Sequence, residues 1–339
     1  MTQLDVAVIG AGYIARTHLP AWTGLGARVR IFAMDGQAAS LADEFGATPA
    51  PSLQDAIAGA AVVDICTPTN THRGIALEAA GAGAHILCEK PLALCASDAQ
   101  DIAEAAARAG VRLYPGHVVR FFPAYVRLRE AISAGQLGQV AVARFTRTGR
   151  YPTWSPWFAD TSQSGGILTD QMLHDMDIAR WLFGDVVRIH ATQRGHLTAP
   201  APEGAVATGS ATLTHASGVI SQVSGVWGPP ATPFRYTFHV AGSNGTIFHD
   251  SQAHLGLRVT GGGGGETAGI PTGDFGEDPF AVEIREFAAA FQGGPPPRVN
   301  ALDGVAAVRI AEAARLSAVT GNAVHIDAPA LLLTEGVKS

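Results

Sequence analysis

The chain has 339 residues and a formal net charge of −6. That length predicts about two domains, each large enough to bury its own core. The acidic balance argues against a broad nucleic-acid surface. No apolar run approaches the ~20 residues of a membrane span, and Met1 leads almost directly into the first predicted strand without a signal peptide. We therefore expect a cytoplasmic protein with neither nucleic-acid nor membrane partners.

The first predicted element is a short apolar strand, Val6–Ile9, which a glycine turn connects to a helix starting at Tyr13. Gly10 and Gly12 let the backbone approach a pyrophosphate, which binds free N–H groups at the start of such a helix. Ala15 stands where the third glycine of this fingerprint usually permits close packing. The alternative is an ordinary strand-to-helix turn, because such triplets also arise by chance. The context favours a dinucleotide site.

A second apolar strand, Arg28–Met34, ends in Asp35. A carboxylate at roughly this spacing accepts hydrogen bonds from the ribose hydroxyls of NAD and repels the 2′-phosphate of NADP. Gly36 and Gln37 offer no adjacent arginine for that phosphate. We therefore predict NAD as the cofactor, with NADP the less favoured choice.

Strand and helix signals continue to alternate as far as residue 122. The further predicted strands are Ala61–Cys66, His85–Cys88 and Val111–Tyr114, and the predicted helices are Ala38–Phe45, a helix to Ala58 capped by Ser52, His72–Ala82, and Ser97–Ala109 capped by Ser97. This order predicts an N-terminal Rossmann domain with a doubly wound parallel sheet over residues 1–122. Ligands bind at the carboxyl ends of such strands, where the sequence places Gly10–Gly12, Asp35, Thr67–Asn70, Glu89–Lys90 and Gly116–His117.

Residues 123–339 show mainly period-two alternation, which predicts a C-terminal α+β domain with a large, mostly antiparallel open sheet. The predicted strands are Val140–Arg147, Ala207–Leu213, Val219–Val226 and Phe234–Val240, with a hairpin turn at 243–245. The predicted helices are Ala124–Gly135, one continuous helix that follows Gly165-Gly166 and runs to about Phe183, Pro279–Phe291 and Ala301–Thr320. Loops are expected at the aromatic residues Tyr151, Trp154, Trp157 and Phe158 and at Gly261–Gly265. The sheet predicts a homodimer or homotetramer.

The three cysteines, Cys66, Cys88 and Cys95, lack the spacing of a zinc site. Cys66 and Cys88 end apolar strands, so we predict buried, reduced thiols and disfavour a catalytic cysteine. One histidine at position 174 with nearby carboxylates is a weak zinc signature. We therefore predict no metal site.

Lys90 leaves a strand end directly before Pro91, which biases its backbone away from helix. From there its ammonium could enter the crevice and polarise a substrate hydroxyl. The alternative is a surface lysine paired with Glu89. The sequence does not decide whether the Lys90–Pro91 bond is cis.

Asp170 and His174 lie one turn apart on the predicted continuous helix and would share a face, with Asp177 a further neighbour. Histidine is suited to accept a hydroxyl proton near neutral pH, and a carboxylate can orient it or the substrate. The alternative is a solvated helix face. The surrounding apolar residues favour a packed helix instead; they are Leu168, Met172, Leu173, Met176, Trp181 and Leu182.

Five stretches together resemble the glucose–fructose oxidoreductase, inositol dehydrogenase and rhizopine-catabolism (Gfo/Idh/MocA) family. They are Gly-Ala-Gly-Tyr-Ile-Ala at 10–15, Cys-Thr-Pro-Thr-Asn at 66–70, Glu-Lys-Pro at 89–91, Gly-His-Val-Val-Arg-Phe at 116–121, and Gly-Gly-Ile-Leu-Thr-Asp-Gln-Met-Leu-His-Asp-Met-Asp at 165–177. The likeness extends from the first strand to the closing helix. It implies a two-domain NAD(P)-dependent oxidoreductase acting on sugars, cyclitols or related polyols.

The resemblance also implies roles by position. Lys90 would contact the nicotinamide ribose and the substrate, Asp170 would hydrogen-bond the reacting hydroxyl, and His174 would be the general base. The implied cofactor-binding residues are Gly10, Gly12, Tyr13, Ile14, Asp35, Thr67, Pro68, Asn70, His72, Glu89 and Lys90. The implied substrate-binding residues are His117, Arg120, Trp157, Asp170 and His174.

Two other functions stay open on the sequence. One is a dinucleotide-binding regulator without catalysis, against which the presence of Lys90, Asp170 and His174 together argues. The other is an NAD-dependent glycosidase that oxidises its sugar transiently and returns the hydride. Steady NADH release is expected only of a dehydrogenase.

Overall fold

The computed structural model describes residues 3–153, 155–195, 204–253 and 276–327. Trp154 and Gly261–Gly265, both assigned to loops above, lie outside these ranges. The described residues form two compact units, one of residues 3–121 with 276–308 and one of 122–253 with 309–327. In the described part of the chain, no helix is both long enough and apolar enough to cross a membrane.

The first unit contains a six-stranded sheet whose strands run parallel in the order β3-β2-β1-β4-β5-β6. Its strands are β1 Asp5–Ile9, β2 Arg28–Phe32, β3 Thr48–Pro49, β4 Val62–Ile65, β5 His85–Glu89 and β6 Leu113–Gly116. The central strands are short apolar runs because helices cover both faces of the sheet. This order is the doubly wound Rossmann arrangement, so the fold prediction for the N-terminal domain is confirmed.

Local signals set the helix ends of this unit. The helices are α1 Tyr13–Gly24, α2 Ala38–Phe45, α3 Leu53–Ile57, α4 His72–Gly81 and α5 Ala96–Ala109. The Ser52 hydroxyl accepts the N–H of Asp55 as predicted, and Gly110 ends α5 in the left-handed conformation. The prediction of Ser97 as the cap of α5 is wrong. Cys95 takes the cap position, and Ser97 falls in the first turn with its hydroxyl 3.2 Å from the Cys95 sulfur.

A segment from late in the chain completes the first unit. Helix α10, Pro279–Phe291, stacks Phe287 on Tyr114 with ring centroids 5.2 Å apart and packs the same ring edge-on against Phe121. The Arg112 guanidinium donates to the carbonyl of Phe291 at 2.8 Å. These contacts bury the outer face of β6, so the core of this unit is assembled from both ends of the sequence.

The second unit contains a seven-stranded sheet in the order β12-β11-β7-β10-β9-β8-β13. Its strands are β7 Val140–Arg150, β8 Val186–Gly195, β9 Ala207–His215, β10 Ile220–Gly228, β11 Arg235–Gly242, β12 Gly245–Asp250 and β13 Val324–His325. Among the described strands of this second sheet, only the β7–β10 pair runs parallel. The prediction of a mostly antiparallel open sheet is confirmed, although β8 and β13 were not predicted.

Helices cover one face of this sheet. They are α6 Pro123–Ser133, α7 Thr161–Ser164, α8 Gly166–Asp170, α9 Leu173–Phe183 and the second half of α11, Ala301–Thr320. Tyr236, Phe238 and Val240 alternate toward the buried side of β11 as predicted. Ser243 and Asn244 form the two-residue turn between β11 and β12.

Candidate active site

The glycine turn after β1 leaves room for an anion. Gly10 has a φ of +114°, and a Cβ there would lie 2.6 Å from the carbonyl oxygen of Cys66, so only glycine fits. Gly12 is exposed at the cap position of α1, makes no side-chain cap, and has open space where a Cβ would stand. Because the first turn of α1, with Tyr13 and Ile14, carries no acid, its N–H groups fit a pyrophosphate.

Asp35 follows β2 with an exposed side chain, and its Oδ1 accepts the N–H of Gln37 at 3.1 Å. This hydrogen bond fixes the carboxylate at the entrance to α2. Gly36 between them has a φ of +75°. The turn therefore holds an acid at the carboxyl end of β2, where a ribose would bind.

The loop after β4 contains Thr67, Pro68 and Asn70, and Asn70 is exposed. His72, at the start of α4, is buried and lies 2.9 Å from the Thr67 carbonyl through Nε2 and 2.9 Å from the Pro91 carbonyl through Nδ1. Burial lowers the pKa of His72, against the smaller opposing effect of these carbonyl contacts. The ring therefore connects two loops at the carboxyl edge of the sheet.

The Glu89-Lys90-Pro91 turn follows β5, and its Lys90–Pro91 bond is cis. Lys90 is half-buried, and its backbone N–H donates to Glu89 Oε2 at 3.0 Å. Glu89 as a whole is only 5% exposed. Glu89 therefore points into the unit. A surface ion pair with Lys90, the alternative considered above, would require Glu89 to point toward solvent.

His117 and Arg120 follow β6 and are buried within the first unit. Arg120 Nη1 lies 3.1 Å from Asp303 Oδ2 and donates to the Arg298 carbonyl at 3.0 Å. These contacts connect the turn at Val118–Phe121 to Arg298, before α11, and to Asp303 in the first turn of α11. The substrate role of His117 and Arg120 stays a prediction.

Asp170 and His174 do not lie on one continuous helix, so that prediction is wrong. Helix α8 ends at Asp170 and α9 begins at Leu173, and the Met172 N–H reaches back to the Ile167 carbonyl at 2.9 Å. Asp170 is 8% exposed and His174 is half-buried.

The break between the helices is explained by packing on the sheet. Met172 is fully buried, and a Cβ on Gly209 or Gly225 would come within 2.6 Å of its side chain. The two glycines on neighbouring strands therefore let the Gln171–Met172 turn approach the sheet closely. Local sequence carries no sign of this contact.

Asp175, next to His174, forms a buried ion pair that the sequence reading missed. Arg147 of β7 donates through Nε to Asp175 Oδ2 at 2.8 Å and through Nη2 to Oδ1 at 2.8 Å, and the Tyr125 hydroxyl donates to Oδ1 at 3.2 Å. Asp175 is 0% and Arg147 2% exposed. The sequence offered one signal for this pair. Arg147 stands at an inward-facing position of its strand, and a buried arginine needs a partner.

Trp157 lies in a short turn, Pro156–Phe158, and stacks on Phe158 with ring centroids 3.9 Å apart. Its side chain is half-buried. The proposed substrate contact of Trp157 stays a prediction.

A buried cluster in the first unit contains His18, Asp64 and Cys66, whose donor atoms lie within 4.8 Å of one another. His18 Nδ1 is 2.9 Å from Asp64 Oδ2, and Trp22 donates to the same oxygen at 2.7 Å. Burial, with the Asp64 charge, raises the pKa of the Cys66 thiol. The sulfur therefore stays protonated, and the contacts fit a hydrogen-bonded network better than a thiolate metal site.

Comparisons with known families agree with this architecture. Residues 4–117 match the family model described as "Oxidoreductase family, NAD-binding Rossmann fold", and residues 125–248 match the GFO/IDH/MocA C-terminal domain. The chain is 31% identical to inositol 2-dehydrogenase of Rhizobium meliloti (strain 1021), over 91% of this chain and 94% of that protein. It is 30% identical to D-apiose dehydrogenase of Paraburkholderia graminis, over 97% and 92%.

Solved structures show the same fold. GenD2 from gentamicin A biosynthesis, in complex with NAD, has a TM-score of 0.85 at 28% identity, covering 97% of both chains. Myo-inositol 2-dehydrogenase from Lactobacillus plantarum has a TM-score of 0.80 at 25% identity, covering 96% of this chain and 100% of that one. With both domain models matched in order and a relative above 30% identity along nearly the whole chain, this protein belongs to the GFO/IDH/MocA family of oxidoreductases with an NAD-binding Rossmann fold.

Proposed function

We propose that this protein transfers hydride between NAD and a CH–OH group of an inositol, a sugar or a related polyol. Similarity to inositol 2-dehydrogenase and D-apiose dehydrogenase supports this substrate class. The structural observation that carries the proposal is the uncapped start of α1 behind Gly10, where a Cβ would overlap the Cys66 carbonyl. That turn has the form of a pyrophosphate cradle.

Several residues would hold the cofactor. The glycine turn with Tyr13 and Ile14 would bind the pyrophosphate, and Asp35 would accept hydrogen bonds from the ribose hydroxyls. The loops held together by His72 would contribute the remaining contacts, from Thr67, Pro68, Asn70, Glu89 and Lys90. NAD, when bound, supplies the hydride acceptor.

The reacting hydroxyl needs a base and an orienting group. The half-buried imidazole of His174 takes the hydroxyl proton, and the Asp170 carboxylate accepts a hydrogen bond that orients the hydroxyl. The Lys90 ammonium would contact the nicotinamide ribose and would polarise the hydroxyl. His117, Arg120 and Trp157 shape or support the substrate pocket. The ion pair of Asp175 with Arg147 holds the first turn of α9 and thus limits the movement of His174.

Steady NADH formation tests this function. Purified protein is given NAD with a panel of inositols, aldoses and sugar acids, and NADH absorbance is followed. His174→Ala is expected to lower turnover at least about a hundredfold while NAD affinity stays near the original value. The matched control is His190→Ala, because His190 is an exposed histidine on β8.

The other two functions give different results in the same assay. A glycosidase would cleave its substrate with bound NAD but release no NADH. A regulator would bind NAD and show neither reaction. Turnover that survives the loss of His174 would assign the base to another residue.

The open face of the second sheet supports self-association. Phe248 of β12 is 65% exposed and Ile220 of β10 is 43% exposed, and strand register places both on the face opposite the helices. A second copy of the chain would cover this apolar surface in a homodimer or homotetramer. Light scattering should give a dimer or tetramer mass, and Phe248→Ser should lower it if this face is the interface.

A further inference from the structure

Four ionisable side chains meet inside the first unit, and one of them, Glu89, precedes the proposed reacting residue Lys90. They are His18 of α1, Asp64 of β4, Glu89 of β5 and Glu283 of α10, and none is more than 5% exposed. An ionised side chain is costly to bury unless it is paired. The cluster thus contains three carboxyl groups and a single imidazole to balance them.

His18 lies between two of these carboxylates. Its Nδ1 is 2.9 Å from Asp64 Oδ2, and its Nε2 is 3.3 Å from Glu89 Oε1. The Nδ1 contact is a hydrogen bond, whereas the Nε2 contact is an ion pair by distance, since neither Nε2 nor Glu89 Oε1 has a hydrogen-bond partner among the described residues. Burial alone would lower the pKa of His18, but the charge and hydrogen bond of Asp64 reverse this, and the pKa lies well above its ordinary value. One imidazolium therefore hydrogen-bonds the Asp64 carboxylate and lies at ion-pair distance from the Glu89 carboxylate.

The other groups that face His18 are neutral. Burial, with the Glu89 charge as the next cause, raises the pKa of Glu283 well above its ordinary value, and both Glu283 oxygens lack a hydrogen-bond partner among the described residues. The Cys66 thiol, whose sulfur lies 3.5 Å from His18 Nδ1, is likewise held protonated, and among the described residues the ring of Phe280 lies 5.8 Å from the imidazole ring. Among the described residues, the carboxylates paired with the His18 cation are therefore those of Asp64 and Glu89.

The Glu89 carboxylate is enclosed on its remaining sides. Its Oε2 accepts the backbone N–H of Lys90 at 3.0 Å. A Cβ on Gly116 would lie 2.8 Å from Oε1 and 3.1 Å from Cδ, so the carboxylate occupies the space that a side chain at 116 would need. Movement of Glu89 would break its contact to His18 and release the Lys90 amide.

We propose that His18 is a positioning residue: its imidazolium fixes Glu89, and Glu89 fixes the backbone from which the Lys90 side chain extends. The claim that His18 fixes Glu89 and the Lys90 backbone concerns only contacts within the first unit. The expected effect on turnover rests on the proposed function, in which the Lys90 ammonium would contact cofactor and substrate.

His18→Asn separates the two contacts of the ring. Asparagine can place a donor near the position of Nδ1 and keep Asp64 satisfied, but it is too short to reach Glu89. The matched control is His215→Asn in the second unit, because His215 is also buried and also has two partners, the Gly184 carbonyl and the Ser221 hydroxyl.

Hydrogen exchange at the Lys90 amide is the decisive measurement, made by NMR on lysine-labelled protein without substrate. We expect His18→Asn to speed this exchange about tenfold, the factor that loss of one hydrogen bond implies, while His215→Asn leaves it unchanged. The imidazole nitrogen shifts of His18 should report a doubly protonated ring at neutral pH. In turnover assays kcat should fall more than KM rises, and Glu89→Gln should add little to the effect of His18→Asn because both act on one contact.

Gly116→Ala provides a second route if His18→Asn does not fold. Its Cβ presses on the Glu89 carboxylate from another side, and the expected result is the same faster exchange at Lys90. Unchanged Lys90 exchange in the folded variants, or a neutral His18 ring at neutral pH, would overturn the proposal. Because exchange and NMR shifts need no turnover, absence of NADH formation would reject the proposed function without affecting this result.

Discussion

Arg147 and Asp175 form two parallel hydrogen bonds of 2.8 Å, completely inside the second unit and one residue from His174. Removing one partner of a buried ion pair leaves the other charge unpaired. We expect Arg147→Met to lower the free energy of unfolding by about 3–5 kcal/mol, measured by urea denaturation. The double change Arg147→Met with Asp175→Leu should cost less than the sum of the single changes.

The matched control for this pair is Arg235 with Asp250, which joins β11 to β12 with two hydrogen bonds but leaves the arginine side chain 45% exposed. Arg235→Met should cost less than about 1 kcal/mol, since solvent screens exposed pairs. Equal decreases in the free energy of unfolding for Arg147→Met and Arg235→Met would show that burial does not set the energy of the Arg147 pair.

Gly10 and Gly12 should respond differently to alanine. Gly10→Ala meets a φ of +114° and the Cys66 carbonyl, so it should destabilise the protein by at least about 2 kcal/mol and abolish NAD binding. Gly12→Ala has open space and an ordinary φ of −76°, so stability should stay within about 1 kcal/mol while NAD affinity falls. Denaturation and NAD titration measure both effects, and a large stability loss at Gly12 would contradict this account.

Cofactor preference should depend on Asp35. An arginine that would bind a 2′-phosphate is poorly placed at position 36, because Gly36 has a φ of +75°. Asp35→Ser with Gln37→Arg avoids that strain and should shift the NADP-to-NAD ratio of kcat/KM at least about tenfold, since a charge-assisted hydrogen bond contributes about 1.5–3 kcal/mol. Gln37→Arg alone is the control and should shift the ratio less. An unchanged ratio in the double variant would remove Asp35 from cofactor selection.

His72 should make stability depend on pH. Burial lowers its pKa from the ordinary 6.5, so below about pH 6.5 the unfolded chain binds a proton that the folded chain resists. The contribution of neutral His72 to the free energy of unfolding is complete above that pH. It is lost as the pH falls through the lowered pKa. Urea denaturation between about pH 7.5 and 5.5 should show a smaller loss of stability for His72→Gln than for the original protein. An identical pH slope would contradict the lowered pKa.

Packing at the break between α8 and α9 should control the proposed reacting groups. Gly225→Ala would place its Cβ 2.6 Å from Met172 Cγ, and overpacking of this kind costs about 1–3 kcal/mol. We expect lower stability and lower turnover, and a smaller penalty when Met172→Ala is present. Gly149→Ala is the control, since a Cβ there meets its nearest atom at 3.8 Å. Equal effects at Gly149 and Gly225 would reject the contact with Met172 as the cause.

Elements defined by local signals were predictable from the sequence. Helices α2, α10 and α11 have the predicted bounds, because the left-handed Gly46 ends α2 and the Asp278 side chain caps α10 just before Pro279. Strand β8 was missed because a register shift between Val186 and Arg188 interrupts its period-two alternation.

Features that depend on distant residues were not predictable. The helix break at Gln171–Met172 depends on Gly209 and Gly225, which lie on β9 and β10, later in the chain. The pair of His18 and Asp64 joins residues 46 positions apart. Sequence motifs therefore predicted the proposed reacting groups, which stay a prediction, whereas the buried contacts near them required the structure.

The late arrival of α10 affects how the protein is made. Arg112 contacts the carbonyl of Ala290, 178 residues further along the chain. Tyr114 and Phe121 pack against Phe287 of the same helix. During synthesis on the ribosome, the Rossmann sheet would emerge early but keep these aromatic side chains uncovered until nearly the whole polypeptide had left the exit tunnel. A fragment that stops at residue 122 should therefore aggregate or recruit chaperones, and supplying α10 as a separate peptide should improve its solubility.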